Sequence, residues 1–171
     1  MTVFFTSDTH FGDPRVLTKD HRPFRTIPEH DEALVARWNG TVSPTDTVWH
    51  LGDFALHVSA ERIGELLGNL RGKKHLVTGN NDGPDTLAAK GWASVQAYAE
   101  LDVDDKHLVL CHYAFRTWKN NSKGWLDLHG HSHGRLSHLT HQYDVGVDVW
   151  DFRPVTLETI LTMRRWGKTQ R

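Results

Sequence analysis

The chain has 171 residues with no internal repeat, low-complexity tract or linker-like segment, so we expect one domain over residues 1–171. Its 20 Lys and Arg nearly balance its 21 Asp and Glu, which argues against a long-range basic field that would capture nucleic acid. Cys111 is the only cysteine, which excludes an internal disulfide and a thiolate-rich zinc or iron–sulfur site.

Short apolar runs and apolar residues at helical spacing predict a series of strands and helices. In chain order these are a strand over 3–5, a helix over 29–38, a strand over 47–49, a helix over 59–70, strands over 75–77, 107–110, 125–128 and 145–147, and a helix over 156–166. Such alternation is typical of an α/β protein with a layered sheet core.

Polar side chains follow five of the predicted strands directly. In chain order they are Asp8 and His10, then Asp53, then Asn80 and Asn81, then His112, and finally His131 and His133. In α/β sheets, ligands gather at the carboxyl ends of strands, so these five exits can converge on one point. Each motif alone is also common in turns, helix caps and surface loops. Their ordered combination indicates a metal site, because a turn needs no imidazole.

These motifs, Asp-x-His, Gly-Asp, Gly-Asn, a lone His and Gly-His-x-His, resemble those of the calcineurin-like metallophosphoesterase superfamily, in its small single-domain bacterial or phage form. The resemblance implies a four-layer α/β/β/α sandwich and activity supported by manganese or a similar divalent ion. It implies that Asp53 bridges two ions. The first ion would also be held by Asp8, His10 and His133, and the second by Asn80, His112 and His131.

The ligand chemistry agrees with this resemblance. Carboxylate, imidazole and amide oxygen together suit Mn, Fe, Zn, Ni or Co better than Ca or Mg, which prefer oxygen, or Cu(I), which prefers sulfur. A pair of divalent ions can lower the pKa of a shared water, whose hydroxide then attacks phosphorus. Because Asn80 is a neutral ligand, such a centre keeps net positive charge and attracts an anionic phosphate ester. We expect a metal-dependent phosphoric ester hydrolase whose partner is a small phosphate ester.

Asn81 departs from the family pattern, which usually places His directly after the metal-binding Asn. Asn can donate a hydrogen bond to a phosphoryl oxygen but cannot deliver a proton at neutral pH. We therefore expect Asn81 to act with Asp53 in catalysis on phosphodiesters with good or strained leaving groups, such as aryl esters or 2′,3′-cyclic nucleotides. The alternative is that Asn81 is a tolerated turn residue and another group supplies the proton.

Residues outside the ligand set carry weaker predictions. Arg116, four residues after His112, is the predicted phosphate contact, and loop residues such as Phe11 and Arg22 are further candidates for stacking or phosphate binding. His50 and His129 are candidates to orient ligands because each lies near one in the chain. Cys111 precedes His112 on a strand, so its side chain should point to the opposite face as a buried thiol.

Two other functions stay open from the sequence alone. The first is a non-catalytic scaffold that keeps the phosphoesterase fold for protein binding, and the second is a nuclease or RNA-end-processing enzyme with the same centre. A full set of seven ligand residues argues against the scaffold, and near-neutral charge argues against the nuclease. No apolar run is long enough to span a membrane and no leader pattern begins the chain, so we expect a cytoplasmic protein without membrane contact.

Overall fold

The computed structural model describes residues 1–137 and 139–163. Within these residues the strands are β1 Val3–Thr6, β2 Thr47–His50, β3 Lys73–Val77, β4 Trp92–Gln96, β5 Ala99–Val103, β6 Lys106–Leu110, β7 Leu126–His129, β8 Gln142–Asp144 and β9 Val155–Thr156. The α-helices are α1 Arg15–Thr18, α2 Ile27–Thr41, α3 Ala60–Asn69, α4 Pro84–Ala88 and α5 Leu157–Met163, and a 3-10 turn spans Asn121–Lys123. None of the helices in these two ranges is long and apolar enough to cross a membrane.

The strands form two sheets. The first has the order β4-β3-β2-β1-β9, in which β1 to β4 are parallel and β9 is antiparallel. The second has the order β5-β6-β7-β8, in which β6 to β8 are parallel and β5 is antiparallel. The predicted α/β class with a layered sheet core is confirmed. The parallel strands bring their carboxyl ends to common edges, as a convergent site requires.

Both faces of β1 are buried, which explains why this strand is a continuous apolar run rather than an alternating one. Phe5 packs in the cluster shared with the second sheet, beside Leu110 and Leu128. Its neighbour Phe4 points the other way, into the cluster formed with α2 and α3, where Leu66 is fully buried. The sheet is therefore sandwiched between helices on one side and the second sheet on the other.

The predicted helices are present. The helix predicted over 59–70 is α3, and the Ser59 side chain caps it by accepting a hydrogen bond from the backbone N–H of Arg62. The helix predicted over 29–38 is the core of the longer α2, which Thr26 caps in the same way. The helix predicted over 156–166 begins as α5, and its predicted residues 164–166 lie outside the described residues.

Five of the six predicted strands are confirmed, and the strand predicted over 145–147 is wrong. The strand in that region is β8, which ends at Asp144. Beyond it the chain crosses between the sheets: the N–H of Val145 donates to His129, and the N–H of Val147 donates to Ser7. The intervening N–H of Gly146 donates to the Asp144 carboxylate rather than to a neighbouring strand. The buried apolar run at residues 145–147 is therefore a connection between the two sheets rather than a strand.

Candidate metal centre

Six carboxylate and imidazole side chains meet where the strands end. Their ligand atoms form two groups, each with all atoms within 4.8 Å of one another. The first group is Asp8, His10 and His133, and the second is Asp53, His112 and His131. Six of the seven residues that the resemblance assigns to two ions are therefore brought together in two groups.

Asp53 lies between the two groups. Its Oδ2 atom is 3.5 Å from Nε2 of His10 in the first group and 3.6 Å from Nε2 of His112 in the second. The seventh predicted ligand, Asn80, places its Oδ1 atom 3.0 Å from the same His112 nitrogen. Ligand atoms around one ion at bond lengths of about 2.1 Å lie about 3.0–3.4 Å apart, so these spacings are close to those of a loaded site.

Two imidazoles present nitrogen atoms that a cation would satisfy. His10 is 4% exposed, and its Nε2 atom has no hydrogen-bond partner within the described part of the chain, while its Nδ1 atom lies 3.3 Å from Asp13 Oδ2. His112 donates from Nδ1 to the Leu51 carbonyl over 2.8 Å, so its Nε2 lone pair faces the oxygens of Asp53 and Asn80. Acceptors facing one another repel unless a cation lies among them. The donor set therefore fits a divalent transition metal.

The backbone at the site adopts a conformation that non-glycine residues rarely take. Five of the seven candidate ligands have a positive φ between 49° and 65°. They are Asp8, His10, Asp53, His131 and His133. Such left-handed residues cost free energy in folding and cluster at functional sites, where the surrounding structure holds them. The strand exits thus bend sharply enough to turn each ligand back over the sheet edge.

Glycines let two strand exits approach each other closely. Gly52 has a φ of 92°, and a Cβ atom there would lie 2.6 Å from Gly79 Cα and 2.6 Å from His112 Nδ1. A Cβ on Gly79 would in turn clash with the Asp53 carboxylate. Because the two backbones touch, the glycines of Gly-Asp and Gly-Asn are packing requirements of the site rather than flexible points.

Asp82 ties the same two exits together and was not predicted as a site residue. Its carboxylate accepts hydrogen bonds from the backbone N–H groups of Asp53, Phe54 and Gly79 over 2.7–2.9 Å. Burial raises the pKa of Asp82, although these three N–H groups act in the opposite direction. Asp82 thus fixes the backbone of the two segments that carry Asp53 and Asn80.

Two further carboxylates, also unpredicted, hold the Gly-His-x-His loop. Asp148 accepts a hydrogen bond from Nδ1 of His133 over 2.8 Å. Asp144 accepts one from the Ser132 hydroxyl and one from the Gly134 backbone N–H, each over 2.8 Å. Neither contact has a local sequence pattern, although both carboxylates follow the last motif within 15 residues. They hold the loop so that both of its imidazoles face the site.

The electrostatics keep Asp53 and His112 in their metal-binding form. Burial would raise the pKa of Asp53, but the charge of His112 and two hydrogen bonds from Asn81 outweigh it, so the pKa is lowered. Burial lowers the pKa of His112, which favours the neutral imidazole. Burial raises the pKa of Asp8 well above its usual value, assisted by the nearby carboxylates of Asp144 and Asp53. A divalent cation would relieve that penalty at Asp8.

Asn81 lies against the shared carboxylate. Its backbone N–H donates to Asp53 Oδ1 over 2.8 Å, and its Nδ2 donates to Asp53 Oδ2 over 2.6 Å. Its Oδ1 atom lies 3.4 Å from Nη2 of Arg15, a residue of α1 that the sequence had not indicated. The predicted catalytic pair, Asn81 and Asp53, is therefore in direct contact.

The predicted substrate residues fall in three different places. Arg116 is exposed in the segment that follows β6, and its contact with substrate stays a prediction. Two loop candidates were wrong, because both are buried. Phe11 is fully buried and packs edge-on against Phe54. The Arg22 guanidinium is inaccessible, and it donates to the Asp8 and Thr9 carbonyls and to Asp148. It therefore holds the backbone that carries the first ligand group.

The remaining sequence candidates are buried groups around the site. His50 is fully buried, and its Nε2 atom lies 2.9 Å from the Thr9 hydroxyl, next to the Asp-x-His motif. His129 is buried and donates from Nδ1 to the Gly130 carbonyl. Cys111 is buried as expected, and burial raises the pKa of its thiol.

Comparison with known proteins gives a consistent picture. Residues 1–147 match the family described as the calcineurin-like phosphoesterase superfamily domain. The chain is 27% identical to the uncharacterized protein MJ1445 of Methanocaldococcus jannaschii, over 99% of this chain and 94% of that protein. It is 29% identical to the gene 66 protein of Mycobacterium phage D29, over 86% of this chain and 88% of that protein.

A solved structure shares the fold. The protein of unknown function AQ665 from Aquifex aeolicus superposes with a TM-score of 0.73 at 20% identity, over 94% of this chain and 98% of that one.

Proposed function

The chain belongs to the calcineurin-like phosphoesterase superfamily, and from that premise we propose that it is a metal-dependent phosphodiesterase acting on small phosphate esters. The observation that carries this proposal is the position of the Asp53 carboxylate, within 3.6 Å of an imidazole nitrogen from each ligand group. An anionic side chain between two nitrogen-rich groups matches a bridging ligand of a dinuclear centre.

The two ligand groups would each hold one divalent ion. Asp53 would contribute to both, and Asn80 would complete the second through its amide oxygen. Nitrogen and oxygen donors suit Mn, which we favour, as well as Fe, Zn, Ni or Co. When bound, such ions supply a water of lowered pKa and positive charge that stabilises the phosphoryl oxygens.

The protein's own residues define how the ester would be held and cleaved. Asn81 is fixed by its two hydrogen bonds to Asp53, which would leave the second N–H of its side-chain amide to bind a phosphoryl oxygen. Water would attack phosphorus and the leaving oxygen would depart with its electron pair. Asn81 could hydrogen-bond a phosphoryl oxygen but could not protonate that leaving oxygen.

The absence of an acid at position 81 supports a preference among esters. Simple alkyl leaving groups need a proton as the bond breaks, whereas aryl oxides and the strained ring of a 2′,3′-cyclic nucleotide need it less. General acid catalysis contributes about 10²–10⁴-fold where it operates, so its loss would be felt most on poor leaving groups. Aryl and 2′,3′-cyclic phosphodiesters are therefore the favoured substrate class over alkyl monoesters.

A turnover panel tests this function. The purified chain would be stripped with a chelator, reloaded with Mn²⁺, Zn²⁺, Ni²⁺ or Co²⁺, and assayed on aryl monoesters, aryl diesters and 2′,3′-cyclic nucleotides. We expect metal-dependent hydrolysis, fastest on the diesters. Asp53→Asn removes the shared charge and serves as the site control. We expect this variant to bind fewer metal ions per chain and to lose activity.

Other outcomes would identify the other functions. A chain that binds metal but hydrolyses no ester would support the non-catalytic scaffold. Preferential cleavage of single-stranded RNA or DNA over the cyclic nucleotide, with a steep salt dependence, would support the nuclease. Full activity in Asp53→Asn would contradict the site assignment itself.

A further inference from the structure

Arg15 is a positively charged residue at the edge of the candidate metal centre. It begins the short helix α1, shortly after the strand exit that carries Asp8 and His10. Its guanidinium Nη2 atom lies 3.4 Å from Asn81 Oδ1, and Asn81 in turn donates to Asp53. A single side chain therefore separates the Arg15 charge from the shared carboxylate.

A buried carboxylate fixes the direction of this guanidinium. Asp13 is only 1% exposed and accepts hydrogen bonds from Nε of Arg15 over 2.9 Å and from Nη2 over 2.8 Å. A two-point contact of this kind orients the planar group as well as attracting it. Asp13 Oδ2 also lies 3.3 Å from Nδ1 of His10, so the same buried carboxylate links the guanidinium to a candidate metal ligand.

The guanidinium keeps hydrogen-bonding capacity for another molecule. Its side chain is 41% exposed, and its Nη1 atom makes no hydrogen bond within residues 1–137 and 139–163. Two N–H groups of a permanent cation are thus presented to solvent next to residue 81. By contrast, Arg22, another arginine close to the ligands, is inaccessible, and all of its nitrogens make hydrogen bonds.

We propose that Arg15 binds the phosphoryl group of the substrate, and stabilises the charge on the departing oxygen, on the side of the centre occupied by Asn81. Asp13 is then a positioning residue for Arg15, in addition to its contact with His10. The inference rests on the proposed phosphodiesterase function and deepens it, because it accounts for a site that lacks an acid at position 81. Arginine cannot release its proton, so the leaving oxygen keeps the electron pair and takes its proton from solvent.

This assignment refines the substrate class. A fixed positive charge stabilises an anionic leaving group without needing to protonate it. It also attracts the non-bridging oxygens of an ester before reaction, so Arg15 contributes to phosphate binding in the absence of turnover. The expected substrates therefore carry a leaving oxygen that can depart as an anion.

The test compares Arg15→Gln with Arg15→Lys and with Arg62→Gln as a matched control. Arg62 lies on α3, and its side chain is 43% exposed in a surface ion pair with Glu65. Each metal-loaded protein would be titrated with inorganic phosphate, by thermal shift and by competition, and assayed on aryl phosphodiesters of graded leaving-group pKa. Metal content would be measured in parallel.

We expect Arg15→Gln to bind phosphate about 10- to 100-fold more weakly, which is the range for a lost charge-assisted hydrogen bond. Its kcat/KM should fall by about 10²-fold on the poorest leaving groups and less on the best. Arg15→Lys should recover part of both losses, because lysine keeps the charge but not the planar fork. Metal content should not change.

Two results would overturn the role of Arg15. One is phosphate affinity and a leaving-group dependence in Arg15→Gln that match those of Arg62→Gln. The other is a loss of metal in Arg15→Gln that accounts for its whole activity loss. Failure of the proposed function would look different: the wild-type chain would hydrolyse no ester, and its phosphate titration would still show whether Arg15 binds the anion.

Discussion

Asp148 and His133 are joined by a hydrogen bond of 2.8 Å in which the imidazole Nδ1–H donates to the carboxylate. The same carboxylate accepts from Nε and Nη2 of Arg22, each over 2.8 Å. Burial would raise the pKa of Asp148, but the hydrogen bonds from these two partners hold it well below its usual range. Because Nδ1 is engaged, Nε2 of His133 is the nitrogen that faces Asp8, 4.0 Å away.

Asp148→Asn should therefore weaken metal binding and also destabilise the fold. The amide cannot hold the charged partners, so His133 loses its fixed orientation and the buried Arg22 loses its counter-ion. Substitutions of groups that orient metal-bound histidines typically cost about 10–100-fold in affinity. Breaking a buried ion pair costs about 3–5 kcal/mol, and retained contacts of Arg22 with backbone carbonyls place the expected loss near the lower end, about 3 kcal/mol.

Calorimetric metal titration would measure the loss of metal affinity, and urea denaturation would measure the loss of stability. Asp151→Asn is the control, because Asp151 is an exposed carboxylate that also pairs with arginines. Equal metal affinity in Asp148→Asn and Asp151→Asn would contradict a role for Asp148 in orienting His133.

Asn81→His should restore proton donation to the leaving group. We expect the rate on aryl diesters with poor leaving groups to rise by about 10²-fold, with little change on the best leaving groups. The leaving-group slope of kcat/KM is the measurement. A uniform change across the series would show instead that Asn81 is a tolerated turn residue and that another group supplies the proton.

Gly52→Ala should damage the site through the backbone. The new Cβ would lie 2.6 Å from Gly79 Cα, and the residue would keep a φ of 92° that alanine strongly disfavours. We expect a loss of about 2–3 kcal/mol in the free energy of unfolding, together with weaker metal binding.

Gly64→Ala, in the middle of α3, is the matched control for this backbone effect. A Cβ there meets nothing within 4 Å, and alanine in a helix interior gains about 0.5–1 kcal/mol over glycine. If the two substitutions had the same effect on stability and metal content, close packing of the two strand exits would not be what requires Gly52.

Arg116→Gln tests the remaining sequence prediction for substrate binding. Loss of a phosphate contact should raise KM for an aryl diester by about 10-fold while metal content stays constant. Steady-state kinetics beside Arg62→Gln would measure the difference. An unchanged KM would contradict a substrate contact by Arg116 and would leave Arg15 as the proposed phosphate-binding arginine.

The convergence of the candidate ligands could be predicted because its signals are local. Each of the predicted groups follows a short apolar run, and residues such as Asp53 or His112 differ in chemistry from ordinary turn residues. The repeated pattern of apolar strand and polar exit is sufficient to place them at the carboxyl ends of the strands, although it does not show that these strands belong to two sheets. The structure brings all seven within reach of two centres.

The supporting residues could not be predicted, because their partners are distant in the chain. Arg22 contacts Asp148 across 126 positions, and the pattern around Arg22 is that of any exposed loop. The error over residues 145–147 has the same origin. Val145 and Val147 are buried as the pattern required, but their backbone bonds go to different sheets, which no local period reveals.

His50 should make the free energy of unfolding fall as the pH is lowered. The Thr9 hydroxyl donates its proton to the Phe54 carbonyl, so it can only accept from His50 Nε2–H. Nδ1 of His50 is therefore unprotonated, and it has no hydrogen-bond partner in the described ranges. Burial, only partly opposed by the Asp53 charge, lowers the pKa of His50 from 6.5 to about 3.

A lowered pKa means that the unfolded chain binds more protons than the folded one between these two values. The folded state is therefore most favoured, with respect to this group, above the unfolded pKa, and that stability is lost as pH falls. The slope for one proton is about 1.4 kcal/mol per pH unit, so from about pH 7 to about pH 5 the wild type should lose about 2 kcal/mol more than His50→Gln.

Urea denaturation of metal-free protein across that range would measure this slope, independently of the absolute stability of each variant. His57→Asn is the control, because His57 is an exposed histidine with a φ of 61°, a conformation that asparagine tolerates. It should keep the wild-type slope, since the substitution leaves the buried His50 in place. If His50→Gln also kept that slope, the protonation penalty would lie elsewhere in the protein, and the buried neutral state assigned to His50 would be wrong.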